Sequence, residues 1–374
     1  MGQSNTYRRY ERQIVLKEFG TAAQEKLFRA KVLVVGAGGL GCPALQYLSA
    51  AGVGYIGIVD FDKVELTNLQ RQVLFTVDDI GKPKAKVAAE KLKLFNPEIQ
   101  FSVYEEKLGT ANALEIIGEY DIVIDGTDNF ATRYLVNDAC VLLGKPLVYG
   151  AVLRFEGQVG VFNYPDKDGS PGVNYRDLFP QPPEPSTVPS CNEAGVLGIL
   201  PGIIGTMQAA EAIKIITGIG RPLSNIIVSY NLLNNIYFEC MVSSAGNNDI
   251  NFPKSKAAFK SFNYEWFCGN THHSGEISPE EFDELRKNEN VSIIDVREKD
   301  ELPVIDEFPV TQIPLSRFEL GVSAIAEKNK IVLICKSGKR SLSALKLLTE
   351  RYPDCIAYSL KGGIDAWKMK LHQK

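Results

Sequence analysis

The sequence predicts an α/β protein: a doubly wound, mostly parallel sheet followed by a second, small α/β domain. Three observations predict it. β-Branched runs alternate with helical segments from Lys31 to about Tyr164, a glycine turn joins the first such run to the first helix, and a polar stretch, SSAGNNDINFPKSK, separates these elements from a second strand–helix set near Ile277.

The runs KVLVVG, YIGIVD, IQFSVYE, DIVIDG and PLVYGAVL read as strands, since apolar, β-branched segments without alternation suit a parallel sheet buried on both faces. Helices are expected over Lys84 to Phe95 and Phe130 to Leu143 between them. Pro165 to Ser190, with Pro180, Pro182, Pro183, Pro185 and Pro189, reads as an irregular loop crossing a site. A helix from Leu197 to Thr217 and a strand pair over Asn225 to Val242 complete a first domain, residues 1–242, ahead of a linker, 243–276. In the second domain, 277–374, SPEEFDELRKN has a serine cap with acidic first-turn residues, VSIIDVR and IVLICKS are strands, and a helix spans Ser341 to Arg351.

With 41 Lys and Arg against 45 Asp and Glu, the net charge of -4 leaves no basic footprint, so neither nucleic acid nor an anionic membrane is an expected partner. Cys42, Cys140, Cys191, Cys240, Cys268, Cys335 and Cys355 form no CxxC pair, which argues against a disulfide framework and against a thiolate zinc site and fits the reducing cytoplasm. The stretch MGQSNTYRRYERQ lacks the apolar core of a signal peptide, and the apolar run Leu197 to Ala210 is too short to span a bilayer, so it is expected to be a buried helix.

GAGGLG, carrying Gly36, Gly38, Gly39 and Gly41 between a strand and a helix, is the Rossmann-like arrangement that lets backbone N–H groups approach phosphates at a helix N-terminus. Asp60, about twenty residues on at the end of the next strand, is placed for ribose hydroxyls. Hydride chemistry is disfavoured, because His272, His273 and His372 all lie outside the sheet domain, and no GxxxxGK[ST] phosphate loop occurs. Asn68, Arg71, Lys84, Asp128 and Asn129 fall near carboxyl ends of strands, where Arg71 and Lys84 could hold triphosphate oxygens and Asp128 a Mg²⁺ ion. Taken singly, each is equally a surface charge or a helix cap.

In order along the chain, Arg9-Tyr10-x-Arg12-Gln13, GAGGLG, DFDxVxxxNLxRQ (Asp60 to Gln72), GxPKxxxA (Gly81 to Ala88), DGTDN (Asp125 to Asn129) and Cys191-Asn192-Glu193-Ala194-Gly195-Val196 resemble the MoeB/ThiF family of adenylyltransferases, which activate sulfur-carrier proteins and are related to ubiquitin-activating enzymes. The resemblance covers Tyr7 to Val242. It implies ATP over the glycine turn, with Gly39 near the phosphates, Asp60 on the ribose, Asn68, Arg71 and Lys84 around the triphosphate, and Asp128 on magnesium. It further implies that Arg12 reaches the nucleotide of a neighbouring subunit, hence a homodimer, and that Cys191 accepts the acyl group or resolves a persulfide. The family's two zinc-binding thiolate pairs are absent here: GVNYRD (Gly172 to Asp177) and FECMVSSAGNN stand in their places, so no structural zinc is expected. Cys268 with His272 and His273 reads as an incidental cluster.

Cys335-Lys336-Ser337-Gly338-Lys339-Arg340-Ser341 lies between a strand and a helix, in a turn suited to cradling a thiolate or persulfide anion. A phosphatase loop, whose own pattern is Cys-x5-Arg, is the competing reading, although here four residues separate Cys335 from Arg340. IIDVRE (Ile293 to Glu298), this loop and LKGGIDAW (Leu360 to Trp367) together resemble a rhodanese domain over Ile277 to Leu371, with EFPVTQIPL (Glu307 to Leu315) departing from the usual pattern. Cys42, Cys140 and Cys355 read as packing residues.

The implied function is ATP-dependent adenylation of the C-terminal glycine of a ubiquitin-like carrier ending in Gly-Gly, followed by sulfur transfer from a Cys335 persulfide to give a thiocarboxylate, in molybdopterin or thiamine thiazole synthesis. A cysteine desulfurase or thiosulfate would supply the sulfur. The alternatives are a ubiquitin-like activator that forms a thioester without sulfur transfer, a nicotinamide oxidoreductase and a non-catalytic scaffold.

Overall fold

Strand β1 (Lys31–Val35) pairs in parallel with β2 (Tyr55–Val59) on one side and β4 (Ile122–Asp125) on the other, and this placement fixes where a ligand can bind. The computed structural model describes residues 7–165, 172–183, 195–244, 253–268, 275–286, 291–321, 330–352, 355 and 357–371. By contacts the chain divides into two units, Met1–Cys268 and Gly269–Lys374.

In the first unit the sheet order is β3-β2-β1-β4-β5-β6-β7-β8, where β3 is Gln100–Tyr104, β5 Leu147–Leu153, β6 Glu156–Phe162, β7 Ile226–Asn231 and β8 Ile236–Met241. Strands β3 to β5 in this order are parallel, and β6, β7 and β8 add antiparallel. The chain winds outward from β1 in both directions, so the carboxyl ends of β1 and β4 flank a topological switch point, the usual ligand crevice of such sheets. Val32, Leu33, Val34 and the whole of β4 are buried on both faces, as their unbroken apolar runs require. The helix Lys84–Phe95 and the helix Phe130–Leu143 occupy the expected residues.

The apolar helix Ile199–Thr217 is long and apolar enough to cross a membrane, yet Leu200, Ile204, Ala209 and Ala212 are buried, with Leu200 and Ile204 packed on Val159 of β6. The helix is thus longer than the apolar run Leu197 to Ala210, whose length predicts a segment too short to span a bilayer, and one side of it is buried in the core. Two segments are more ordered than their composition suggests. Within the proline-rich stretch, Asn174 caps the short helix Tyr175–Leu178 and buries Tyr175 and Arg176, so this part is packed rather than a free loop. Within the polar stretch expected as a linker, the helices Lys256–Ser261 and Tyr264–Phe267 bury Phe259, Tyr264 and Cys268 in the same cluster as Tyr134. Aromatic burial outweighs their polar flanks.

The second unit is a five-stranded sheet, order β11-β10-β12-β13-β9, with every pair parallel. Here β9 is Glu276–Ile277, β10 Val291–Asp295, β11 Thr311–Gln312, β12 Lys330–Ile334 and β13 Ala357–Leu360. One face packs Leu345 and Leu348 of the helix Lys339–Arg351, and the other packs Phe282, Phe308 and Trp367, whose rings meet edge to face at 5.1–6.0 Å.

Candidate active sites

The glycine turn is built by backbone approach. A Cβ on Gly41 would lie 1.9 Å from the Gly36 carbonyl oxygen, and one on Gly36, whose φ is +93°, would lie 2.8 Å from the Gly126 carbonyl oxygen at the end of β4. Only glycine allows the start of the Gly41–Ala51 helix to sit this close to the strand ends. The Ala37 N–H donates to Asp60 Oδ2 at 2.8 Å, and the Asp62 N–H donates to Asp60 Oδ1 at 2.8 Å. Burial pushes the Asp60 carboxyl up, opposed by Lys84 and by these two N–H groups. Asp60 thus holds the turn itself, and each oxygen keeps a lone pair for a ligand hydroxyl.

Around this turn the structure gathers several of the residues singled out by sequence. Lys84 is buried at the N-terminus of its helix with Nζ 3.1 Å from Asp62 Oδ2. The Arg71 stem lies beside Gly39, whose Cβ would stand 3.5 Å from Arg71 Cδ, while Arg71 Nη1 donates to the Thr67 carbonyl at 3.1 Å. Asn68 is buried, and its Oδ1 accepts the Glu65 N–H at 3.2 Å, shaping the turn that presents Arg71. At the end of β4, Asp128 is exposed, and Asn129 accepts the Thr132 N–H at 2.9 Å as the cap of the Phe130–Leu143 helix. Mg²⁺ takes oxygen ligands, and the exposed Asp128 carboxylate is one that solvent and ions reach.

Arg12 is not brought to the turn. Its neighbour Gln13 donates to the Ala51 carbonyl at 2.9 Å, which places Arg12's helix, Glu11–Ile14, at the C-terminal end of the Gly41–Ala51 helix. That helix separates the two by roughly 15 Å, beyond the reach of an arginine side chain. Cys191 lies outside the described residues. So do His272, His273 and His372. Cys42 and Cys140 are buried in helices; burial pushes the Cys42 thiol up to about 12 and raises that of Cys140 as well, which suits packing residues.

Two charged clusters escape sequence reasoning. Asp125, which begins DGTDN at the carboxyl end of the central strand β4, is paired with Arg133 and accepts the Thr127 N–H at 2.9 Å. Gln208 Nε2 donates to the Asp125 carbonyl at 2.7 Å and ties the Ile199–Thr217 helix to the same point. The second cluster is built on Arg176, which lies in one of the two regions where the resemblance would put thiolate pairs. Arg176 Nη2 and Nε reach Asp138 Oδ2 and Oδ1 at 2.7 and 2.8 Å, the Tyr264 hydroxyl donates to Asp138 Oδ2 at 2.8 Å, and the guanidinium lies 4.6 and 4.8 Å from the Phe267 and Tyr134 rings. Ser244 Oγ donates to Asp177 Oδ1 at 3.3 Å, joining the two regions that lack thiol pairs. Cys240 is exposed on β8, and among the described residues no group of three or more His, Cys, Asp or Glu could hold a metal. Among the described residues, four sulfur or nitrogen ligands for a tetrahedral zinc are not assembled at these regions.

In the second unit Cys335 directly follows β12, and its side chain is buried at the start of the turn formed by Lys336, Ser337 and Gly338 before the Lys339–Arg351 helix. The Ser341 N–H points at Sγ from 3.3 Å and the Ser341 hydroxyl stands 3.4 Å away, held in turn by the Ser359 hydroxyl at 2.8 Å. Ile364 and Asp365 donate their N–H groups to the Cys335 and Lys336 carbonyls at 2.9 and 3.1 Å, and a Cβ on Gly363 would come within 2.3 Å of the Cys335 oxygen. The LKGG segment thus braces the loop from behind. A sulfur anion here meets the Ser341 N–H and the positive end of a helix, while the Ser341 hydroxyl beside it donates to the Gly338 carbonyl at 3.0 Å.

Comparison with known proteins agrees with both halves. The ThiF family profile matches residues 10–251, and the rhodanese-like domain profile matches residues 278–370. The chain is 56% identical over 225 residues to a sulfur carrier protein adenylyltransferase of Thermus thermophilus, covering 60% of this chain and 83% of that one. It is 42% identical to a probable adenylyltransferase/sulfurtransferase MoeZ of Mycobacterium tuberculosis over 97% of this chain and 93% of the other, and 39% identical to an adenylyltransferase and sulfurtransferase MOCS3 of Arabidopsis thaliana over 96% and 82%. Among solved structures, E. coli MccB with ATP superposes with a TM-score of 0.55 at 22% identity, over 67% of this chain and 82% of that one, a likeness of fold.

Proposed function

The chain belongs to the ThiF family and continues into a rhodanese-like domain, and from that premise we propose a two-step reaction at the sites described above. It is an adenylyltransferase with sulfurtransferase activity, acting on a ubiquitin-like sulfur-carrier protein. The observation that carries the reading is the joint presence, on one chain, of the Gly36–Gly41 turn with Lys84 and Arg71 beside it and of the braced Cys335 loop.

In the first step a carboxylate oxygen of the carrier's terminal glycine attacks the α-phosphorus of ATP, the bond to pyrophosphate breaks, and an acyl-adenylate forms. Backbone N–H groups of the glycine turn, Lys84 and Arg71 face the phosphates, and Asp60 takes the ribose. Positioning and fixed positive charge lower this barrier, and no protein base is needed. Asp128, with Asn129 beside it, would hold Mg²⁺, and the ion would supply positive charge against the departing pyrophosphate. Lys84 leaves Asp62 to do this.

In the second step the Cys335 thiolate takes a sulfane sulfur from a donor, thiosulfate or the persulfide of a cysteine desulfurase, and the resulting persulfide attacks the acyl carbon as AMP leaves. Cys191 then attacks the Cys335 sulfur of the acyl disulfide, the carrier departs as a thiocarboxylate with the electron pair, and the Cys191–Cys335 disulfide left behind is returned to two thiols by an external dithiol reductant. Carrying the persulfide on the chain that makes the adenylate raises its effective concentration. Arg12, too far from its own turn, serves the partner's nucleotide in a homodimer. The reading includes a cytoplasmic location, resting on cysteines without CxxC pairing, and a carrier of molybdopterin or thiamine thiazole synthesis.

Carrier-dependent ATP–pyrophosphate exchange and the mass of the released carrier test this together. Cys335→Ser is expected to keep exchange and to lose persulfide labelling and thiocarboxylate, whereas Cys191→Ser keeps exchange and persulfide but slows carrier release. Sulfur transfer by Cys335→Ser at the wild-type rate would overturn the assignment.

A further inference from the structure

Glu301 is held on the loop after β10 by several contacts. The Glu298 N–H donates to its Oε1 at 2.9 Å, and Arg297, forked onto Asp295 with Nη2 2.7 Å from Oδ2, donates Nη1 to the Pro303 carbonyl at 2.8 Å. From there the carboxylate meets Arg340 fork to fork, Oε1 to Nη1 at 2.5 Å and Oε2 to Nη2 at 2.7 Å. Arg340 immediately precedes Ser341, the residue whose N–H addresses Cys335 Sγ, so the pair stands at the rim of the thiol loop. The Arg340 and Glu301 side chains remain 36% and 29% exposed, and the Arg340 charge is near enough to interact with Cys335. Lys336 and Lys339 are exposed on the same loop, and among the described residues no carboxylate pairs with either. Arg340 is thus the cation of this loop whose charge is cancelled.

We propose that Glu301 is a specificity-determining residue for the sulfur donor: by neutralising Arg340 it lowers the positive charge facing Cys335 and disfavours small polyanionic donors relative to donors of lower charge. The proposal rests on Cys335 being the sulfur-accepting thiol. Thiosulfate, a dianion, loses its outer sulfur to the Cys335 thiolate as the S–S bond breaks and sulfite leaves with the electron pair; methanethiosulfonate, a monoanion, reacts in the same way with methanesulfinate leaving. Cyanide then removes the sulfur as thiocyanate and restores the thiolate. Because hydrogen bonds from Arg340 hold the Glu301 carboxyl down to about 2, its charge is present throughout the working range of pH. Discrimination by withheld attraction is a known route to specificity.

The test measures kcat and KM for both donors at saturating cyanide with the full chain, for wild type, Glu301→Gln and Glu301→Asp, at low and high salt. Glu301→Gln is expected to lower KM for thiosulfate roughly three- to tenfold and KM for methanethiosulfonate by about the square root of that factor, with kcat within about twofold and the gain erased by high salt. Glu301→Asp is expected to restore the wild-type ratio. Arg340→Gln, which leaves the carboxylate uncovered, is expected to raise KM for thiosulfate more than for methanethiosulfonate, and it decides the matter if Glu301→Gln folds poorly. Equal changes for both donors in both variants, or a fall in kcat alone, would overturn the proposal. If instead Cys335→Ser transfers sulfur as well as wild type, it is the sulfurtransferase reading that falls.

Discussion

Arg133 donates through Nε to Asp125 Oδ2 at 3.0 Å, with both side chains shut away from water. Its Nη2 donates to the Thr127 and Gly150 carbonyls at 2.9 and 3.2 Å, and the Tyr149 ring lies 5.1 Å from the guanidinium carbon. Asp125 and Asp128 stand in the same DGTDN segment, yet the first is internal scaffolding and the second is open to solvent.

The two aspartates are therefore expected to fail differently. Asp125→Asn leaves a buried guanidinium without its counter-charge and should cost about 3–5 kcal/mol of stability. Asp128→Ala, at an exposed position, should change stability by no more than about 0.5 kcal/mol while sharply depressing pyrophosphate exchange. Denaturant melts and exchange assays on both variants check this; wild-type exchange in Asp128→Ala would remove it from the site.

The proposed sharing of sites between two subunits makes a mixing prediction. Arg12→Ala and Lys84→Ala should each be inactive alone, because each damages every site of its own homodimer. After subunit exchange, half the molecules are mixed dimers and each has one undamaged site, so about a quarter of wild-type exchange should return. No recovery on mixing would count against a shared site.

The Arg176–Asp138–Tyr264 cluster is expected to hold the first unit without metal. Chelator-washed protein should contain no stoichiometric zinc by elemental analysis, and chelator should leave its thermal midpoint unchanged. Arg176→Leu should lose about 3–5 kcal/mol by stranding the Asp138 carboxylate. Zinc that survives washing would show that residues outside the described ones supply ligands.

Acid is expected to unfold the second unit through identifiable carboxylates. Arg340 hydrogen bonds hold Glu301 down to about 2; at Asp283, hydrogen bonds from Trp367 and Arg286 outweigh the upward push of burial; Lys368 lowers Glu307. Groups lowered on folding stabilise above their unfolded values, and this contribution is lost as pH falls through the folded ones, here from 4.5 toward about 2 for Glu301. Trp367 fluorescence in a Trp266→Phe background should follow this loss, and Glu301→Gln should flatten its lower part.

The parallel strands are legible because β1, β2 and β4 are buried on both faces and so must be written as unbroken apolar runs. Lys84 and Phe130 are legible as helix starts, since each opens a long segment between strands. Asp60 is legible as a residue at the nucleotide turn but not in its full role, because sequence does not reveal that backbone N–H groups claim both oxygens. Arg133 and Arg176 are not legible at all: a cation on a helix reads as solvated, and the partners that bury it come from a strand end and, for Arg176, from a helix 38 residues away. The helices at 256–267 are too short for a periodic signal, and only tertiary contact with Tyr134 reveals their apolar sides. Glu301 and Arg340 are 39 residues apart, and nothing in either local stretch announces the pair.

The end of β1 is bonded to both neighbours at once: the Gly36 N–H donates to the Val59 carbonyl and the Gly126 N–H to the Val35 carbonyl, each at 2.8 Å, while the Ala37 N–H is held by Asp60. These amides cannot open separately, so in deuterated buffer Gly36, Ala37 and Gly126 should exchange as one slow cooperative group, with an opening free energy near that of the whole first unit. Asn129 and its neighbours at the exposed cap should exchange far sooner. Nucleotide turnover then proceeds over an immobile floor, and whatever must move to admit the carrier and release AMP has to be the covering segments rather than the cradle.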